Sequence, residues 1–240
     1  MDCSIIVPCF NEEQALPLLV RRIADLREHW DWSSELVLVD DGSRDDTWLT
    51  IQRLRETHPF IVPVRHAGNR GIVAGWRSAL AAASGRHVAL LDADLQYRPE
   101  DLPALREKLR ESMADVVQGA RVSEPNRTPL RRLMTAGLSL LLNLLFGMHL
   151  KDNKSGFLLC RREVLADVLE TRFRYRNFTH FIAVAIHARG YRIAQVPVVF
   201  DPRAAGESFI KNPWRFALRS LLDFPPALWE FRLAPRGRKD

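Results

Sequence analysis

The sequence predicts an α/β fold with a mainly parallel central sheet flanked by helices. Over the first 120 residues, short aliphatic runs alternate with longer amphipathic stretches, the pattern of strands joined by covering helices. Three of the aliphatic runs end in abrupt polar clusters, Pro8-Cys9-Phe10-Asn11-Glu12, Asp40-Asp41-Gly42-Ser43 and Asp92-Ala93-Asp94-Leu95-Gln96. In an open sheet, ligands gather outside the carboxyl ends of the strands, so those clusters are where chemistry is expected. A length of 240 residues with 47% hydrophobic content suffices for one substantial core.

The runs place strands at 4–7, 36–39, 61–65, 87–91 and 115–118, with helices over 12–28, 46–57, 71–83 and 99–111 between them. Pro99 suits a first helical turn, and Glu100 and Asp101 beside it suit the positive end of the helix dipole. The pattern then changes. Residues 130–148 form a long apolar helix headed by Arg131 and Arg132, too short and interrupted to span a bilayer, which takes about 20 predominantly apolar residues. A buried or an interfacial position fits it. A second such segment, 214–233, mixes Phe216, Leu221, Leu222, Trp229 and Phe231 with Arg215, Arg219 and Arg232, and Pro225-Pro226 is expected to break or kink it. Apolar helical stripes are ordinarily core, while Trp and Arg at their edges also suit a lipid headgroup layer. The expected organisation is a catalytic domain over 1–211 and an amphipathic helical segment with a basic tail over 212–240.

No basic stretch with a cleavable apolar segment precedes the first strand, and Cys3, Cys9 and Cys160 show neither zinc nor disulfide spacing. A cytoplasmic chain, peripheral on the cytoplasmic membrane face, is expected. The formal net charge of +6 suits nucleic acid, an anionic membrane or phosphate-bearing substrates alike. Without an aromatic-rich RNA-binding pattern or zinc-finger spacing, nucleic acid is not expected as a partner.

Four carboxylates at strand ends, Asp40, Asp41, Asp92 and Asp94, would repel one another unless a cation or bound donor groups offset them. Asp92 and Asp94 are two residues apart and would share a face if strand geometry persisted. Two such oxygens suit Mg²⁺ or Mn²⁺ bridging to substrate phosphates, and Gln96 offers a third. With 16 Asp in 240 residues roughly one D-x-D arises by chance, so position after a strand carries the weight here.

Together, Ile6-Val7-Pro8-Cys9-Phe10-Asn11-Glu12-Glu13, the run from Val39-Asp40-Asp41-Gly42-Ser43 to Thr47, Asn69-Arg70-Gly71, and Asp92-Ala93-Asp94-Leu95-Gln96 with Pro99-Glu100 resemble the motifs of inverting family 2 glycosyltransferases. The resemblance is to the branch of dolichyl-phosphate mannosyltransferases and bacterial polyprenyl-phosphate sugar transferases, and covers residues 4–211. It implies a GT-A type nucleotide-binding fold. It also implies that Pro8, Phe10, Glu12 and Asp40 line a nucleotide pocket, with Asp41 in the same acidic set, that Asp92 helps hold the donor, and that Asp94 and Gln96 hold the metal on the diphosphate. Gly119-Ala120-Arg121 is similar to the family's Gly-Ser-Arg, and Asp152 with Ser155-Gly156-Phe157 to its D-x-x-S-G-F segment, which makes Arg121, Arg131 and Arg132 candidates for an acceptor phosphate. Arg203 to Ser208 resembles the family's R-x-x-G-x-S-K, but Phe209 stands where the lysine belongs, with Lys211 nearby. Larger bacterial relatives carry transmembrane helices beyond this point, and none is read here.

The implied reaction is a single inverting displacement at the anomeric carbon of a UDP- or GDP-sugar, with Mg²⁺ or Mn²⁺ offsetting charge on the leaving diphosphate. A lipid monophosphate acceptor, already largely dianionic at neutral pH, needs no strong base. A hydroxyl acceptor needs one, and Asp152 is the candidate. A nucleotidyltransferase would want a Gly-rich basic loop after the first strand, a haloacid-type phosphatase a D-x-D there, and a dinucleotide enzyme G-x-G-x-x-G. None of these, nor H-E-x-x-H or G-x-S-x-G, is present. The non-enzymatic alternative is a degenerate relative that binds nucleotide sugar or membrane without turnover, suggested only by Phe209.

Overall fold

The computed structural model describes residues 1–123, 129–203 and 221–235, the side chains of 123 and 129–135 excepted. Its centre is one seven-stranded sheet in the order β3-β2-β1-β4-β6-β5-β7. The strands are β1 (Cys3–Cys9), β2 (Ser34–Asp40), β3 (Ile61–Arg65), β4 (His87–Leu90), β5 (Val116–Ser123), β6 (Leu158–Arg161) and β7 (Ile193–Val199). Helices α1 (Leu16–His29), α2 (Thr47–Thr57), α3 (Ile72–Ala82) and α4 (Leu102–Glu111) connect the first five strands, as the alternation of runs predicts. After β5 come α5 (Pro129–Phe146), α6 (Arg162–Val168), α7 (Ile182–Ala188) and α8 (Phe224–Leu228), the last running into a π turn, Trp229–Leu233.

β1 lies between β2 and β4, paired parallel to both, and nearly all of Cys3–Cys9 is buried. That burial on two faces is why it reads as a continuous apolar run. The two faces carry separate cores. Ile6, Val37 and Leu90 pack with α3, α5, α6 and α7 on one side, while Ile5, Val7 and Leu38 pack with α1, α2 and α4 on the other. β6 runs antiparallel between β4 and β5, pairing Leu158 with Leu90 and Cys160 with Val116. The sequence reading lacked it, since a run as short as Phe157 to Cys160 does not distinguish strand from helix.

Two boundaries differ from expectation for identifiable reasons. α1 begins at Leu16 rather than 12, because the backbone N–H groups of Asn11, Glu12 and Glu13 donate to Ser43 Oγ, Thr47 Oγ1 and Asp45 Oδ2. Those donors are taken by the loop after β2, so the helix starts later. The break expected at Pro225-Pro226 falls just before them: Leu222 and Asp223 form a turn after Leu221, and the two prolines occupy the first turn of α8, where a missing N–H is harmless. Ala227 and Phe231 of this C-terminal segment are buried in the core shared with α5 and α7, so the described part of 212–240 belongs to the same packed unit as the sheet. Among the described residues no helix is long and apolar enough to cross a membrane.

The loop after β2 turns on Gly42, whose φ is +74° and whose missing Cβ would come within 2.4 Å of the Gly68 backbone. Both the positive φ and the contact exclude a side chain. Gly42→Ala is therefore expected to lower stability by about 2–4 kcal/mol, read as a drop in the denaturant midpoint at constant m-value.

Candidate active site

The topology brings every polar strand end to one rim. β1, β2, β3 and β4 run parallel; β5 and β7 share that direction because each pairing through β6 is antiparallel twice over. The segment entering antiparallel β6, which carries Asp152 to Phe157, arrives at the same rim, as does Asp201 to Arg203 leaving β7. Asp201 N–H donates to the Gln96 carbonyl at 2.9 Å, closing the exit of β7 onto the loop after β4.

At one end of the rim, Asp40 is 1% exposed. Its Oδ1 accepts the Ser43 N–H at 2.9 Å, whereas Oδ2 accepts no hydrogen bond among the described residues and has Arg65 Nε 3.6 Å away. A buried carboxylate oxygen without a donor is costly, and a ligand N–H would relieve it. Pro8 and Phe10, partly exposed, stand beside it at the end of β1, with Pro8 packed within 3.4 Å of where a Cβ on Gly75 would sit. Asp41 has a different task. Oδ1 accepts from Arg70 N–H at 2.9 Å and from His66 Nδ1 at 2.6 Å, and Oδ2 accepts from Gly71 N–H at 2.8 Å. His66 Nε2 lies 2.8 Å from Ser78 Oγ. Asp41 therefore fixes the Asn69-Arg70-Gly71 loop against α3, and its oxygens do not face a ligand.

The middle of the rim holds Glu12, Asp92 and Asp94 around one guanidinium. Arg203 Nη2 is 3.0 Å from Asp94 Oδ2, and Nη1 is 4.0 Å from Glu12 Oε1. β4 ends at Leu90, and Leu95 takes φ +59°, a left-handed conformation that costs a leucine about 1–2 kcal/mol. The two aspartates are thus set by a strained turn, which Gln96 N–H stabilises by donating to Asp94 Oδ1 at 3.1 Å. Burial, Asp94 and Asp92 push Glu12 up to about 7 despite Arg203. Burial and then Asp94 raise Asp92, and burial raises Asp94 against the pull of Arg203. One guanidinium does not offset three partly desolvated carboxylates, and their hard oxygens fit a small divalent cation. Among the described residues no set of three His, Cys, Asp or Glu forms a ready-made metal cage. Gln96 is committed at one atom, its Nε2 donating to the Asp201 carbonyl at 3.3 Å.

Arg121 and Asp152 form a buried two-pronged pair, Nε to Oδ2 at 2.6 Å and Nη2 to Oδ1 at 2.8 Å, with Arg121 lying over the Phe200 ring. Burial works to raise Asp152, but the hydrogen bonds and charge of Arg121 prevail and hold it below the usual carboxylate range. A carboxylate so stabilised in its ionised form is a weak proton acceptor, which weighs against Asp152 as the base for a hydroxyl acceptor. Arg121 still reaches the donor side, since its charge acts on Asp92.

Arg131 and Arg132 lie in the first turns of α5 with side chains outside the described residues, and residues 204–220, with Phe209 and Lys211, lie outside them altogether. Sequence reasoning missed His66, Asp45 and Asp201. Asp45 accepts from Thr47 Oγ1 and Glu13 N–H, and Asp201 makes a two-pronged pair with Arg98 at 2.6 and 2.9 Å. No motif marks His66 or Asp201; only the fold brings them to the rim.

Taken together, the sheet order and the acidic strand ends define a GT-A type nucleotide-binding fold. Solved structures share it: glucosyl-3-phosphoglycerate synthase from Mycobacterium tuberculosis in complex with Mg²⁺ and UDP (TM-score 0.70, 19% identity, 98% of this chain and 80% of that one) is one. The mannosyltransferase from Pyrobaculum calidifontis in complex with GDP-Man and Mn²⁺ is another (TM-score 0.69, 22% identity, 95% and 64%). Residues 4–169 match Glycosyl transferase family 2, and the chain belongs to that family. It is 32% identical over 236 residues to the bactoprenol glucosyl transferase of Shigella phage SfV, covering 96% of this chain and 75% of that protein. It is 30% identical over 218 residues to the dolichol-phosphate mannosyltransferase of Pyrococcus furiosus, covering 88% of this chain but spanning only 60% of that relative's length.

The pairing of Arg121 with Asp152 predicts a large loss on breaking it from one side. Arg121→Met leaves a buried carboxylate uncompensated and is expected to cost about 3–5 kcal/mol in a denaturant melt at pH 7. Arg121 holds Asp152 low in the wild type, whereas burial alone raises it in the variant, so the difference should be full at neutral pH, shrink as acid protonates the variant's carboxylate, and be lost once the wild-type carboxylate is protonated too.

Proposed function

We propose that this chain transfers a sugar, with inversion, from a UDP- or GDP-sugar to a polyprenyl-phosphate acceptor, with Mg²⁺ or Mn²⁺ on the donor diphosphate, at the cytoplasmic membrane face. The observation that carries the reading is the span along one rim from the donor-lacking Asp40 Oδ2 to the Glu12–Asp92–Asp94 cluster around Arg203. Those positions match the two ends of a nucleoside diphosphate: an N–H at the base, negative charge at the phosphates.

In this account Asp40 accepts an N–H from the base, with Pro8 and Phe10 beside it. Asp94 and Gln96 would hold the metal, which when bound supplies positive charge against the developing negative charge of the leaving diphosphate. Asp92 helps hold the donor. Arg203 exchanges its carboxylate partners for diphosphate oxygens, for which a forked guanidinium is well shaped. Arg121 faces the acceptor, kept in place by Asp152, with Arg131 and Arg132 as further phosphate partners.

A phosphate acceptor is favoured over a hydroxyl because Asp152, the candidate base, is locked in its ionised form by Arg121. An acceptor phosphate brings its own nucleophilic oxygen at neutral pH. The similarity to a bactoprenol glucosyl transferase and a dolichol-phosphate mannosyltransferase supports the same choice.

A thermal-shift panel tests the donor. UDP- or GDP-sugar with Mn²⁺ should raise the melting temperature, by about 5–11 °C once ligand reaches ~100 times its Kd. The metal-dependent part should fade from pH 8 to pH 6, as protons compete for Glu12, pushed up to about 7, and its neighbours. No shift with any nucleotide sugar would contradict the reading.

A further inference from the structure

The loop after α6 reads Thr171-Arg172-Phe173-Arg174-Tyr175-Arg176-Asn177. Tyr175 enters the core, and Arg172, Arg174 and Arg176 are exposed, with Phe173 exposed among them. None of these three guanidinium groups pairs with a carboxylate among the described residues. Two carboxylates nevertheless lie directly beneath the loop. Glu230, 2% exposed, accepts from Arg172 N–H at 2.7 Å, from Phe173 N–H at 3.4 Å and from Tyr175 Oη–H at 2.8 Å. Asp223, 4% exposed, accepts from the N–H groups of Arg176 at 3.1 Å and Asn177 at 2.8 Å.

Carboxylates next to an arginine-rich loop ordinarily draw the guanidinium groups inward. Here backbone amides and a tyrosine hydroxyl satisfy them instead. The loop is braced from below, and its three positive charges point to solvent.

Both bracing residues belong to the C-terminal segment, which is fixed by Phe231 stacked on Tyr175 at 5.7 Å and Phe224 edge-on to Phe181 at 5.2 Å. The other face of that segment is apolar and open: Leu221, Leu222, Trp229 and Leu233 are all more than half exposed. α5 packs against the same segment and exposes Leu140 and Leu144 one turn apart, while Leu142 and Phe146 enter the core. Rigid positive charge beside exposed leucines and a tryptophan is the composition that lies at a lipid headgroup boundary.

The geometry points to the braced 171–177 loop and the apolar ridge of 221–233 as one docking face for anionic lipid headgroups. Nucleic acid fits less well, because Tyr175 and the adjoining Phe178 are buried and Phe173 alone is exposed in the loop, which leaves no run of aromatics for successive bases to stack on. A second copy of this chain would have to present acidic groups opposite the arginines, against a net charge of +6. The face adjoins the acceptor side of the rim: His180, which follows the loop, lies under the charges of both Asp223 and Arg121. The inference deepens the lipid-phosphate reading and rests on it for its place in the reaction.

Co-sedimentation of the full chain with vesicles tests it, using phosphatidylcholine alone against phosphatidylcholine with phosphatidylglycerol, at low and high salt. Wild type should bind the anionic vesicles far better, and salt should weaken the binding. The triple variant Arg172→Gln, Arg174→Gln, Arg176→Gln should weaken it about fivefold per arginine, on the order of a hundredfold in all, while melting within a few degrees of wild type. Trp229→Ser should reduce binding but keep the salt dependence. Equal binding to neutral and anionic vesicles, wild-type binding by the triple variant, or a concentration-dependent dimer in place of vesicle binding would each overturn the proposal. UDP and GDP thermal shifts on the same samples separate the two readings. Nucleotide binding without vesicle binding removes the docking face alone, whereas vesicle binding without nucleotide binding supports the face and removes the transferase reading.

Discussion

The constraint on which the structure turns is the crowding of Glu12, Asp92 and Asp94 at one end of a buried sheet. Like charges that close, partly out of water, raise one another and weaken the fold unless positive charge is brought in. Among the described residues Arg203, which follows the edge strand β7, pairs with Asp94 at 3.0 Å, and the charge of Arg121 also acts on Asp92. Because Arg203 follows β7 at the sheet's edge and Asp94 follows β4 at its centre, this contact ties the edge of the rim to its middle. A site held in electrostatic deficit is one that a cation and a polyphosphate can complete.

The rest of the rim is arranged so that the deficit stays local. Asp41 is satisfied by His66 and two backbone amides, Asp152 by Arg121, and Asp201 by Arg98. Each pair also fixes a segment: the Asn69-Arg70-Gly71 loop, the turn entering β6, and the exit from β7. Backbone strain is concentrated in the same region, with Leu95 at φ +59° between the acidic pair and Gln96.

Much of this was legible in the sequence, and the reasons are physical. Parallel strands buried on both faces must be apolar throughout, so β1 to β4 announced themselves, and the polar residues just past them had to lie at the rim. Asp40 and Asp41 look equivalent in sequence, but one keeps an oxygen without a donor and the other is spent on a loop, a difference that depends on where His66 falls. Asp152 read as a base because its partner Arg121 is 31 residues away, and spacing gives no sign of a contact at that separation. β6 and the bracing of 171–177 by Glu230 and Asp223 were illegible for the same reason: both arise from pairings between distant, short segments.

The central claim, that the acidic strand ends form a metal-assisted diphosphate site, is tested most directly by calorimetric titration of UDP and GDP with and without Mg²⁺, on wild type and Asp94→Asn. The account predicts that Mg²⁺ tightens wild-type binding of one nucleotide at least tenfold and that Asp94→Asn loses this enhancement while keeping its metal-free affinity. An undiminished Mg²⁺ enhancement in Asp94→Asn, or none in wild type, would contradict it.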